Sequence, residues 1–144
     1  MPLIHVHAPE GTFSAHARDA LAQELTVIAL ESEKLPMDPF DMSTTWIYFH
    51  EVPPGCVYHG GQPLGTKVIS LEINCFEGGL SEAAKRSLYG RVTDAIRQRA
   101  GIPPDARVPV YIVVREVQPV NWGVFGGTTT IDELRRPHPD LPAI

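Results

Sequence analysis

The order strand, helix, strand, glycine turn occurs twice along this chain of 144 residues, and no other feature limits its fold as strongly. The first copy opens with residues 3–7, passes Glu10-Gly11 and enters a helix behind Ser14. The second opens with residues 68–73, passes Glu77-Gly78-Gly79 and enters a helix behind Ser81. Both serines suit an N-cap, where a short hydroxyl accepts a bond from an unpaired first-turn N–H. Behind them Ala17, Leu21, Leu25 and Ile28, and then Ala84, Leu88, Val92 and Ile96, recur at helical spacing, so each helix has one apolar stripe. The first helix is predicted to stop around residues 34–36. The second stops at Gly101-Ile102-Pro103-Pro104, where glycine suits a left-handed cap and proline cannot continue the ladder. Residues 45–52 and 110–117, rich in β-branched and aromatic side chains, supply the second strand of each copy. Ser14 and Ser81 lie 67 positions apart and Glu51 and Glu116 lie 65 apart, while Gly60-Gly61 and Gly126-Gly127 close the two copies with turns.

Two strand–helix–strand units with right-handed crossovers give two parallel pairs. The expected fold is therefore α/β (α+β), one four-stranded mixed sheet with both helices on one face. The length suits a single domain over residues 1–144, with repeats at about 2–62 and 67–128 and a C-terminal arm at 129–144. On the last strand Val110, Ile112 and Val114 point one way while Tyr111 and Val113 point the other, so both sheet faces are expected to be largely apolar. Two helices cannot cover both, which predicts an association surface for further copies of the chain. In the arm, Thr130 is expected to cap a short helical turn at 131–136. Pro137, Pro139 and Pro142 then favour an extended segment that wraps a neighbouring subunit.

Seventeen acidic residues against twelve basic ones give a formal charge of −5, and the basic residues never cluster beyond Arg135-Arg136, which argues against nucleic acid as a partner. No run approaches the ~20 apolar residues of a membrane helix. Cys56 and Cys75 have no metal or redox spacing, and the N-terminus lacks a secretory pattern, so a cytoplasmic location is expected.

Met1-Pro2 running straight into a strand, together with the two copies, resembles the tautomerase superfamily over nearly the whole chain. The segment from Tyr48-Phe49-His50-Glu51-Val52-Pro53-Pro54 to Gly60-Gly61 is similar to its cis-3-chloroacrylic acid dehalogenase branch. The stretch Asn121-Trp122-Gly123-Val124-Phe125-Gly126-Gly127 is similar to its 4-oxalocrotonate tautomerase and malonate semialdehyde decarboxylase branches. Val110-Tyr111-Ile112 resembles the tyrosine-bearing strand of its migration inhibitory factor branch. The resemblance implies a homotrimer that acts on a small-molecule substrate without cofactor or metal.

It also implies a chemistry. Inside a chain the proline nitrogen is an amide, but removal of Met1 makes Pro2 a secondary amine. An α-amino group titrates near ~8, and an apolar pocket lowers that value, which places a base within reach of neutral pH. Such an amine takes a proton from carbon beside a carbonyl and returns it elsewhere, which is tautomerisation. By the same resemblance Tyr111 is a hydrogen-bond donor, Lys34 is a pocket cation, and Trp122 and Phe125 are walls of the pocket; Arg115, at the end of the last strand, is a further source of positive charge. The chain departs from its relatives where they carry arginines, because Thr12, Trp46, Phe76, Gly79 and Tyr111 stand at those positions. Hydration, decarboxylation or dehalogenation of a three-carbon acid on the same scaffold is the nearest alternative. A catalytically silent trimeric binding protein, or a metal protein using His5 and His7 with His50 or His59, is the rival from another class.

Overall fold

The computed structural model describes residues 1–63 and 67–144. In chain order its elements are β1 (Leu3–Pro9), α1 (Ala15–Glu33), α2 (Pro39–Ser43), β2 (Trp46–Val52), β3 (Tyr58–His59), β4 (Gln62–Pro63), β5 (Ile69–Phe76), α3 (Glu82–Arg99), β6 (Val110–Val117) and α4 (Ile131–Leu134). The long strands form one mixed sheet in the order β2-β1-β5-β6. β1 and β2 pair parallel, as do β5 and β6, and the two halves join antiparallel through β1 and β5. The repeat thus appears as two β-α-β units side by side in a single sheet.

Local chemistry accounts for the matching halves. The Ser14 hydroxyl accepts from the Ala17 N–H at 3.1 Å and the Ser81 hydroxyl from the Ala84 N–H at 3.2 Å, so both long helices start on the same N-cap. One turn further in, Arg18 pairs with Glu51 at 2.8 Å and Lys85 with Glu116 at 2.6 Å, tying each helix to the end of its own second strand. Gly60 and Gly61, both left-handed, form the two-residue turn between β3 and β4, and Phe125 and Gly126 repeat that conformation between the bridged residues Val124 and Gly127. α2 was not expected from the sequence. It is one short turn capped by Asp38, whose side chain accepts from the Asp41 N–H at 2.9 Å.

The main core lies between the sheet and the long helices. Ile4, Val6 and Ala8 of β1 and Ile69, Leu71, Ile73 and Cys75 of β5 pack against Leu21, Leu25 and Ile28 of α1 and Leu88, Val92 and Ile96 of α3. Burial of one such leucine or isoleucine contributes about 1.5–3 kcal/mol. A second cluster of Met1, Leu30, Leu35, Phe76 and Leu134 closes the sheet end where the chain begins. No described helix is long and apolar enough to cross a membrane.

Two expectations are corrected here. The sheet face away from the helices is not apolar throughout. Trp46, Tyr48, Tyr111 and Val113 on the outer strands are exposed. Between them β1 and β5 present His5, His7, Ser70, Glu72 and Asn74, because those strands alternate apolar and polar residues, whereas β6, on which the expectation was based, does not. The arm does not extend away. The His138 N–H donates to Asp38 at 3.0 Å, its ring packs at a tilt against Phe40, and the Ile144 N–H donates to the Ser43 hydroxyl at 3.0 Å, so the segment folds back on its own α2. Asp38 and Ser43, at the two ends of that short helix, supply the acceptors that hold the segment there.

Candidate active site

Pro2 leads into β1, buried, and its carbonyl accepts from the Trp46 N–H at 3.1 Å, which anchors the start of β1 to β2. Before it, Met1 is only 9% exposed, enclosed by Leu30, Leu35, Phe76 and Leu134 with Trp122, Val124 and Ile131 at the rim. These residues come from α1 and its exit, the end of β5, the segment after β6, and α4. Trp122 stacks on Phe76, with ring centroids 4.8 Å apart and planes 19° from parallel. Burial lowers the pKa of the terminal amine; the nearby Glu33, Asp41 and Cys75 act in the opposite direction. Burial also pushes the Cys75 thiol up to about 12, with the Glu33 and Glu116 charges adding to the rise, so this cysteine stays protonated and is no nucleophile at neutral pH.

Glu33, the last residue of α1, is 2% exposed, and neither of its carboxyl oxygens has a hydrogen-bond partner. Burial raises its pKa. The terminal amine, the Phe76 backbone N–H and the Arg135 guanidinium favour the charged form, although none of them makes a hydrogen bond of normal geometry to it. A Cβ at Gly79 would stand 2.8 Å from Glu33 Oε1, so the absence of a side chain there leaves room for the carboxyl. Arg135 reaches across the same region and donates to the Glu33 carbonyl at 3.1 Å and the Gly79 carbonyl at 3.3 Å.

The residues expected at the site divide into two groups. Trp122 is part of the wall around Met1. Lys34 directly follows Glu33 but is exposed, held left-handed as the cap of α1. Phe125 is 63% exposed at its turn and does not reach Pro2 in its own protomer. Arg115 shares a row of the sheet with Asn74 and Leu3, on the open face, where it pairs with Glu72 at 3.2 Å. Its sequence neighbour Glu116 pairs with Lys85 instead. Tyr111 is 82% exposed and shares a row with Ser70, His7 and His50, at the opposite end of the sheet from Pro2.

That far end holds a hollow of about 810 Å³ lined by His7, His59, Ser70, Arg107 and Tyr111 among others. Pro2 takes no part in it. Beside it His5 Nδ1 and His50 Nε2 lie 2.8 Å apart, and His7 stacks on His50 with centroids 4.6 Å apart. Three of the four histidines considered as metal ligands thus meet on the open face, while His59 stays outside the stack. The described residues that converge as a possible metal set are instead Asp38, Asp41 and His138. Sequence reasoning missed Glu33, Leu35 and Arg135 as site residues. One signal was present for Glu33: it follows Ala29 by four and Leu30 by three, and so continues a buried flank of α1 beyond the main stripe.

Comparison with known proteins bears on the fold that carries this site. Residues 70–129 match the family model described as tautomerase enzyme. No curated protein matches the chain. Among solved structures, a fused 4-OT wild-type asymmetric trimer superposes with a TM-score of 0.74 at 18% identity, covering 93% of this chain and 99% of that one. A member of the cis-3-chloroacrylic acid dehalogenase family gives 0.72 at 17%, covering 88% and 82%. Macrophage migration inhibitory factor of Toxoplasma gondii gives 0.69 at 13%, covering 88% and 99%. The chain therefore shares the fold of these tautomerase-superfamily structures along most of its length, and its residues 70–129 match the tautomerase family model.

Proposed function

We propose that this protein is a proline-dependent tautomerase, working as a homotrimer on a small enol, 2-oxo acid or aromatic keto compound, with Pro2 freed by removal of Met1. The observation that carries this reading is the buried apolar cluster that encloses Met1 in front of Pro2. Loss of Met1 leaves a hollow of side-chain size with a secondary amine at its head. Burial at this position lowers the pKa of an amine, which favours the neutral form that accepts a proton from carbon. The free methionine amine shows the direction of that effect at the same place. General-base catalysis of this kind contributes about 10²–10⁴-fold.

Tyr111 belongs to this reading only across a subunit boundary, since the sheet separates it from its own Pro2. Its exposure on the open face suits a place at the edge of a neighbour's proline site. The trimeric state of the related fused 4-OT structure supports such an arrangement.

The test is the intact mass of the purified protein, followed by its phenylpyruvate enol–keto tautomerase rate beside Pro2→Ala. A mass lacking Met1 with a rate loss of about 100-fold or more in the variant is expected. Retained Met1, or a rate indifferent to Pro2→Ala, overturns the catalytic reading.

A further inference from the structure

Glu33 is a group that the fold by itself does not explain. Placing a carboxyl out of water without a hydrogen-bond partner costs free energy, and natural structures rarely keep such a group without a use. Here the cost is incurred beside the Met1 cavity, and Gly79 leaves the space that the carboxyl occupies. The charged and titratable groups around it are the terminal amine of Met1 ahead of β1, Cys75 on β5 and Arg135 behind α4, with Asp41 on α2 close to the same amine.

No cation is free to receive an anion in this cavity among the described residues considered for that role. The guanidinium of Arg135 is committed to the carbonyls of Glu33 and Gly79, Lys34 is turned to solvent, and Arg115 pairs with Glu72 on the open face. The remaining polar side chain is an acid with open hydrogen-bonding capacity. In its protonated form it donates to an oxygen; in its ionised form it repels a carboxylate.

We infer that Glu33 is the substrate-facing group of the Pro2 site: when protonated it holds the oxygen of a carbonyl or enol compound by a carboxyl hydrogen bond, and when ionised it disfavours a carboxylate substrate relative to its uncharged ester. This rests on the proline reading above. As Pro2 removes the proton from carbon, negative charge develops on the carbonyl oxygen, and a preorganised donor at that oxygen stabilises the transition state. Burial favours the protonated carboxyl, which is the form able to donate.

The probes are phenylpyruvate and its methyl ester, followed from pH 5 to 9 with the protein lacking Met1. The wild type is expected to favour the ester in kcat/KM by about tenfold or more, and to lose ester activity as rising pH ionises Glu33. In Glu33→Gln, which keeps a donor and cannot ionise, the preference falls to about threefold or less and that alkaline loss disappears. In Glu33→Leu the ester rate falls about 10²-fold. An unchanged preference and pH profile in the Gln variant overturns the assignment, and that variant carries the test should the Leu variant fail to fold. Calorimetry of the ester with Pro2→Ala and Pro2→Ala/Glu33→Leu separates the two readings. Binding about tenfold weaker in the double variant supports Glu33, and equal binding overturns it. A Pro2→Ala enzyme with full activity that still binds the ester through Glu33 overturns the proline reading alone.

Discussion

The carboxyl of Glu33 couples stability to pH as well as facing the proline cavity. Its pKa in the folded chain lies above the ordinary 4.5, so the folded state holds this proton more tightly than the unfolded one. Its contribution is therefore most favourable below the ordinary carboxylate range and is lost as pH rises through the folded value. Glu33→Leu, similar in volume and without the buried acid, is expected to be more stable than the wild type at pH 8 by about 1–3 kcal/mol, with the difference shrinking toward pH 4. Urea unfolding at both pH values and one protein concentration reads this directly; a variant less stable at pH 8 would show that the carboxyl has partners after all. A gain in stability that accompanies a loss of activity is the usual mark of a residue kept for function.

Among the elements, α4 has a role out of proportion to its four residues. The Thr130 hydroxyl and the Glu133 side chain form a reciprocal capping box, which fixes where the turn begins. Leu134 is then buried in the cluster around Met1, and Arg135 bonds to carbonyls at the end of α1 and in the loop before α3. One guanidinium thus links both halves of the repeat and closes the proline end of the sheet. Arg135→Ala should lower stability by about 1.5–3 kcal/mol, the range for hydrogen bonds to a charged group, seen as a lower urea midpoint. An unchanged midpoint would mean that Leu134 alone holds the segment. The arm beyond it, packed on α2, makes the C-terminal region a clasp within the protomer.

At the scale of the molecule, the open sheet face is where the proposed trimer is put to the test. Tyr111 and Val113 stand exposed beside a stack of His5, His7 and His50 and the pair of Arg115 with Glu72. A mixed face of this kind suits an interface with specific polar pairs. Tyr111→Lys together with Val113→Lys is expected to shift the protein from a trimer of 15.8 kDa subunits to monomer in light scattering, and to reduce tautomerase activity with it. A monomeric wild type, or a double variant that remains trimeric, goes against this arrangement.

The sequence by itself determined the two β-α-β units, their caps and their turns, nearly to the residue: Ser14 and Ser81, the strand at residues 110–117 and the turn at Gly60-Gly61 all depend on bonds and periodicities spanning a few positions. It also singled out Pro2 and Trp122. It missed the open face's mixed character because a single strand was read for all four, and it extended the arm because proline spacing says nothing of the side chains waiting on α2. Only the tertiary structure decided which residues stand around Pro2. Glu33, Phe76, Gly79, Leu134 and Arg135 are brought there from distant parts of the chain by the packing of both helices on one sheet. The charge state of a carboxyl depends on that packing, because burial and neighbouring groups set it, and neither is a property of the residues beside it in the chain.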